Sequence, residues 1–392
     1  MDARRDVSTL LDMTEKLTIG FVRRGFSSGG GAESYLKRLA AGVANAGHRV
    51  ALYTSADWPA DEWNFGPIVR LDATSAIAFA DELEKVRRDP STSLGMTGQA
   101  PECDVLMSLE RIWRCDLYRA GDGVHRAWLD RRHAIAGPWQ KLSRLLNRKH
   151  SATLSLEESL FGKAGAARVI ANSRMVKEEI IRCYGFPAEK IDVVYNGVPL
   201  QALPRDEQDR VKTRDALGLS ENDIAVLFAG SGWERKGLRF AIDAIDRQGG
   251  RMRLLVAGRG ESGKFQSSQT QFLGVVREMP SLYAAADIFL LPTIYDPFSN
   301  ACLEALAAGL PVITTRANGF SEIIENGRHG TVIEDPQNID AIDEALRFWS
   351  DPARRAQAQL DNLALAARFD ISRNVAETLQ ILTQIAASAA ST

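Results

Sequence analysis

"LTIGFVRRGFSSGGGAESYLKRLAAGVANAGHRVALYT" runs from Leu17 to Thr54 and decides the fold. Its first six residues form an apolar run of strand length, and "GFSSGGG" (25–31) follows as a turn. From Ala32 onward the apolar residues recur at helical spacing, and "RVALYT" (49–54) is a second strand. Strand, glycine turn, helix, strand is how a parallel sheet with a crossover helix begins.

Outward from there the pattern continues. "IVRLD" (68–72), "CDVLMSL" (103–109) and "ARVIAN" (167–172) have the length and composition of further strands. "SRMVKEEIIRCYG" predicts a helix with Ser173 at its N-cap and Gly185 as its stop, and "IDVVYNGV" (191–198) closes the first half. Residues 199–222 are polar and suit a linker with one helix. The logic then restarts: "IAVLFAG" (224–230), the turn "SGWERKG", a helix and "MRLLVAG" (252–258), with "DIFLLPT" and "PVITT" as later strands. Two such units predict two Rossmann-like α/β domains facing a cleft, with ligand sites at the carboxyl ends of the strands. The tail 370–388 predicts an amphipathic helix that crosses back to the first domain.

Size and composition agree with this. The chain has 392 residues, 45% hydrophobic and 25% charged, too long for one ordinary core. A formal net charge of -2 argues against a general nucleic-acid binder. The four cysteines (Cys103, Cys115, Cys183, Cys302) lack metal-site spacing and fit a reducing compartment. The start lacks a signal peptide's apolar segment, so the expected location is the cytosol. "RRDVSTLLDMT" (4–14) and "RRDPSTSLGMT" (87–97) share eight of eleven positions. With no fixed period between them, they read as one segment acquired twice, a disordered N-terminal extension (1–16) and a surface-loop insertion (87–100).

Two stretches carry chemistry. In "GSGWERKG" (230–237) the adjacent cations Arg235 and Lys236 follow a buried strand, beside a helix start whose N–H groups suit an anion. In "YDPFSNACLEALAAGLPVITT" (295–315), Pro297 suits a helix first turn, Ser299 or Asp296 suits its cap, and the amides near Phe298, Ser299 and Asn300 form an anion site. Glu304, eight residues after Asp296, projects along nearly the same face of an apolar helix, where a buried acid needs a partner. Acids flanking a phosphate cradle match a sugar nucleotide, whose hydroxyl pairs suit carboxylate acceptors.

These stretches, with "NGFSEIIENGRHGTVI" and "VIANSRMVKEEIIRCYGFPAEKIDVVYNGV" in series, resemble the retaining glycosyltransferases of the GT-B fold, family 4. The resemblance implies an acceptor domain over 17–198, a nucleotide-sugar donor domain over 199–370 and a C-terminal helix over 371–392. It implies that Arg235 and Lys236 hold the diphosphate, that Asp296 and the following amides bind sugar and phosphate, and that Glu304 binds ribose. Gly29, Gly30 and Gly31 would let the first loop approach the donor, and His125 would lie near the reacting carbon. No metal or other cofactor is implied, because the paired cations can stabilise the leaving diphosphate. Where the family has Glu, this chain has the shorter Asp296, which leaves donor identity open.

Residues 111–150 hold ten Lys or Arg against three acids, interleaved with Trp113, Trp128 and Trp139. Such a run suits an anionic membrane surface or a phosphorylated glycolipid, with Arg126, Arg131, Arg132 and Trp128 as the patch. "RCDLYRAGDGVHRAWLDRR" is similar to bacterial lipopolysaccharide-core glucosyltransferases of this family. That likeness implies a peripheral enzyme on the inner face of the cytoplasmic membrane, moving a hexose, glucose from a UDP-sugar, to a lipopolysaccharide core. The alternatives are a GT-B glycosyltransferase for another cell-surface polysaccharide, a sugar-nucleotide epimerase and a non-catalytic nucleotide-sugar binding protein.

Overall fold

A computed structural model of the chain describes residues 16–26, 31–55, 58–89, 101–135, 148–202, 206–265 and 267–390. Gly29, Gly30, the segment 4–14, residues 90–97, Trp139, Lys141 and Arg144 lie outside the described residues, as do the side chains of Arg148 and Lys149.

The described strands form two all-parallel sheets. The first contains β1 (Thr18–Val22), β2 (Arg49–Ser55), β3 (Ile68–Leu71), β4 (Val105–Ser108), β5 (Cys115–Ala120), β6 (Ala166–Ala171) and β7 (Ile191–Val193). Their spatial order is β3-β2-β1-β4-β5-β6-β7. The second contains β8 (Ile224–Ala229), β9 (Met252–Ala257), β10 (Thr270–Gly274), β11 (Ile288–Leu291), β12 (Val312–Thr315) and β13 (Gly330–Ile333). It runs β10-β9-β8-β11-β12-β13. Each order reverses once, between β1 and β4 and between β8 and β11, and such a reversal opens a crevice beyond the strand ends.

Alternation along a strand sends side chains to both faces of a parallel sheet, each covered by helices. Val50 and Leu52 of β2 join one apolar cluster, while Ala51 and Tyr53 join another. The cluster of Val50 also takes Leu36, Leu39 and Val43 of the helix Gly31–Asn45 and Leu379, Ile381 and Leu382 of the helix Ile371–Ala390. The last helix thus lies against the first domain although it follows the second in the chain.

Several elements differ from the sequence reading. β5 falls inside the charge-rich run 111–150, where no strand was expected. The helix Ala76–Arg88 includes Arg87 and Arg88, so the second repeat copy begins within regular structure. Only Ile191–Val193 of "IDVVYNGV" pairs as a strand. The helix Glu207–Ala216 is tied to the second domain by Arg210 and Arg214, which bond Asp287 at 2.8 and 3.1 Å. The helix after β11 spans Asn300–Ala307, so Pro297 lies ahead of it, not in its first turn.

Candidate active site in the interdomain cleft

The loops after β1, β5, β8 and β11 meet across a cleft of about 710 Å³ between the domains. Arg23, Gly31, Arg119 and Asp122 line it from the first domain, and Arg235, Lys236, Asp296 and Glu304 from the second. A site built at two facing switch points follows from the strand order alone.

The turn after β8 is shaped by glycine. Gly237 has φ +75, and a Cβ there would stand 1.9 Å from the Pro292 carbonyl oxygen. This packs the short helix Trp233–Lys236 directly against the loop after β11. Arg235 Nε donates to the Tyr295 carbonyl at 2.8 Å, and its guanidinium sits 5.4 Å from the Tyr295 ring centre and 5.9 Å from that of Trp128. Lys236 Nζ forms an ion pair with the Asp296 carboxylate. The two cations and the first acid are therefore together, with Lys236 and Asp296 neutralising each other.

Asp296 is 4% exposed, and its backbone is fixed on both sides. Its N–H donates to Ala317 O at 2.9 Å, and its carbonyl accepts from Gly319 N–H at 2.9 Å. Ser299, not Asp296, caps the following helix, its Oγ accepting from Cys302 N–H at 3.3 Å. The expected anion site shifts by one residue, because Ser299 N–H is spent on Asn318 Oδ1 at 3.2 Å. Asn300 and Ala301, whose amides have no partner within the helix, line the cleft beside Phe298 and Ser299. The Phe298 side chain packs against Tyr195 and Phe320 in the core, leaving its backbone to the site.

Glu304 accepts from the Tyr283 hydroxyl at 2.9 Å, the partner its burial required. Burial pushes its carboxyl above the usual range, while Tyr283 and the charge of Arg38 pull the other way. Gly31 begins the helix Gly31–Asn45 at the cleft edge, with Asn300 Nδ2 3.4 Å from where a Cβ would lie.

His125 is placed otherwise than expected. Its backbone N–H donates to Glu157 Oε1 at 2.7 Å, its ring Nε2 meets His150 Nδ1 at 3.0 Å, and it is not among the residues that line the cleft. Burial, aided by Arg111, lowers its pKa to about 4, leaving a neutral imidazole near pH 7. The loop presents Asp122 to the cleft in its place.

The residues of the basic patch have partners within the protein. Arg131 bonds Glu179 at 2.9 Å, Arg132 bonds Glu234 at 3.3 Å, and Arg126 lies over the Tyr184 ring at 5.1 Å. Trp128 stacks on Tyr295 at 6.4 Å between ring centres. Arg131, Arg132 and Trp128 thus touch second-domain residues, Tyr295 and Glu234, and take part in a seam between the domains, while Arg126 packs on Tyr184 of its own domain.

Sequence reasoning missed the centre of that seam. Tyr295 is fully buried and belongs to the first domain's core although the second domain carries it. Its hydroxyl donates to Glu179 Oε2 at 2.7 Å and accepts from Val124 N–H at 2.8 Å. Glu322 works in the same direction, accepting from the N–H groups of Arg174 and Met175 at 2.9 and 2.7 Å. A buried hydroxyl on an aromatic at a cleft loop was the available signal.

Comparison with known proteins agrees with the geometry. The family model for glycosyl transferases group 1 matches residues 223–351, and that for glycosyltransferase family 4 matches residues 123–202. A probable transglycosylase of Burkholderia thailandensis is 29% identical over 386 residues, 94% of this chain and 98% of the relative. The lipopolysaccharide glucosyltransferase WaaG of Escherichia coli is 24% identical over 84% of this chain and 89% of its own. Other relatives match over a part only: the chain spans 52% of an uncharacterised glycosyltransferase of Methanocaldococcus jannaschii at 29% identity. Among solved structures, WaaG superposes with a TM-score of 0.77 at 20% identity, covering 93% of this chain and 99% of that one. Anabaena HepE in complex with UDP and glucose gives 0.69 at 18% identity, covering 93% and 98%. The fold is GT-B, and each half contains a stretch that matches a glycosyltransferase family model.

Proposed function

We propose that this glycosyltransferase of the GT-B fold, of the family 4 kind, moves a hexose from a nucleoside diphosphate sugar to a glycan acceptor, retaining the anomeric configuration without a metal. The observation that carries the reading is the convergence of Arg235, the Lys236–Asp296 pair, the start of the helix Asn300–Ala307 and Glu304 on one cleft. Diphosphate charge is met by Arg235, Lys236 and the helix start, sugar hydroxyls by Asp296 and ribose hydroxyls by Glu304.

In the reaction the bond from the anomeric carbon to the β-phosphate oxygen breaks, and a bond to the acceptor oxygen forms on the same face. The acceptor hydroxyl's proton passes to the departing diphosphate, so no separate base is needed. Arg235 and Lys236 stabilise the charge that grows on the leaving group, an effect worth several kcal/mol, roughly 10²-fold or more in rate. Lys236 must leave Asp296 to do so, which frees the carboxylate for sugar hydroxyls. Asp122 takes the place beside the reacting carbon that the sequence reading gave to His125.

The finer assignment is UDP-glucose as donor and a lipopolysaccharide core or related glycolipid as acceptor, met at the inner face of the cytoplasmic membrane. Its support is the likeness to E. coli WaaG over most of both chains and to HepE, solved with UDP-glucose. The purified protein incubated with UDP- and GDP-sugars, with and without truncated lipopolysaccharide, tests it by nucleotide release. Acceptor-dependent release of UDP is expected. Sugar interconversion without release would mean an epimerase, and tight nucleotide binding with no turnover a binding protein.

A further inference from the structure

The first domain's wall of the cleft holds a cation that the assignments above do not use. Arg119 lies on β5, is 3% exposed and lines the cleft. A guanidinium stays charged at any physiological pH, and burying it without a counter-ion costs several kcal/mol. Arg119 has no carboxylate partner among the described residues. Its Nη2 donates to Asn196 Oδ1 at 2.6 Å, its guanidinium stacks 4.1 Å from the Tyr35 ring centre, and its Nη1 has no hydrogen-bond partner. The Tyr35 hydroxyl, also at the cleft, is buried without a partner as well. Burial lowers the Arg119 pKa, with Tyr35 and no carboxylate acting the other way.

The residue that holds Arg119 also reaches the second domain. Asn196 Nδ2 donates to Asn300 Oδ1 at 2.7 Å and to the Phe298 carbonyl at 3.2 Å, at the start of the helix that faces the cleft. A positive charge without a counter-ion and a helix N-terminus are thus joined through one amide. Both features favour the same kind of ligand, an anion.

The structure assigns to Arg119 the role of a fixed counter-charge for a phosphate group held in the cleft, acting through its field and through Asn196. It is a positioning residue: its charge is sealed from solvent, and it sets the potential at the helix start without open contact. This inference rests on the nucleotide-sugar reading. The phosphate has two sources, the donor's diphosphate or a phosphate on the acceptor.

The test compares the parent with Arg119→Met and Arg119→Lys by calorimetric titration of UDP, GDP, uridine, guanosine and mannose 6-phosphate, with thermal midpoints measured without ligand. Arg119→Met should bind the nucleoside diphosphate at least ~10-fold more weakly and the nucleoside as before, since only the phosphate feels the lost charge. Its unliganded midpoint should hold or rise, because apolar replacement of a buried charge is often stabilising. Arg119→Lys should recover most of the affinity. Weakened mannose 6-phosphate with unchanged nucleotide supports the same counter-charge and places the phosphate on the acceptor. Phosphate ligands bound as tightly by Arg119→Met as by the parent, or a nucleoside weakened equally, would overturn the inference alone. A parent that binds none of the five ligands defeats the nucleotide-sugar reading, and this inference with it.

Discussion

Lys236 and Asp296 pair in the cleft with side chains 19% and 6% exposed, which ties function to stability at one contact. Lys236→Ala should lower turnover roughly 10²-fold or more. It should also destabilise the chain, because it strands a buried carboxylate. Adding Asp296→Ala should return the thermal midpoint toward the parent and leave turnover lost. Equal recovery of both would show a purely structural pair. Glu304 gives a pH prediction. A carboxyl raised by burial is protonated at a pH where an ordinary Glu, near 4.5, is still ionised. If its ionised form accepts ribose hydroxyls, UDP affinity falls more steeply than 2′-deoxy-UDP affinity as pH is lowered toward 4.5, the titration of the terminal phosphate being common to both. A parallel fall for both nucleotides would remove Glu304 from the ribose. His48, His125 and His329 are all lowered by burial. Between their unfolded pKa near 6.5 and the lower folded values, the unfolded chain binds more protons, so stability falls as pH drops through that window. Unfolding midpoints measured from pH 7 to 4 check this. Arg235, Lys236 and Asp296 were legible in sequence because each lies in a turn after a buried strand, and Glu304 because it is an acid on an otherwise apolar helix eight residues after Asp296. His125 was not, because its backbone is held by Glu157 and its ring by His150, both distant in sequence.

Among the elements, the helix Arg174–Tyr184 was legible at both ends. Ser173 Oγ accepts from Val176 N–H at 3.2 Å, and Gly185 stops the helix at φ +64. β5 was obscured by its neighbours, since Arg111, Arg114, Arg119 and Arg126 made the region read as a basic patch for an anionic surface or a phosphorylated glycolipid. Its apolar residues Cys115, Leu117, Tyr118 and Ala120 are buried, and the lone arginine among them was the available signal. The turn after β8 yields an element-scale prediction. At Gly237 a Cβ would meet backbone, and the φ of +75 suits glycine. Gly237→Ala should cost more than about 1 kcal/mol and displace Arg235 and Lys236. Denaturant unfolding and turnover should therefore fall together. A variant of parental stability would mean the turn has room the structure does not show.

For the whole molecule, the two-domain plan was legible because strand–turn–helix recurs at Leu17 and Ile224, but the seam between the domains was not. It depends on contacts across more than a hundred residues: Tyr295 with Glu179 and Val124, and Glu322 with the start of the helix Arg174–Tyr184. Glu322→Ala removes an acceptor that the Arg174 and Met175 amides use, so both should exchange hydrogen faster, with little change in β8 or β11. Unaltered exchange at both would mean that the seam does not restrain that helix. The central claim is that the cleft grips a nucleotide sugar by its diphosphate, between Arg235, Lys236 and the start of the helix Asn300–Ala307. An experimental structure determined with UDP bound tests it most directly. The account predicts the β-phosphate within hydrogen-bond reach of Arg235 and Lys236, the Lys236–Asp296 pair opened and the ribose on Glu304; UDP lodged elsewhere with that pair intact would contradict it.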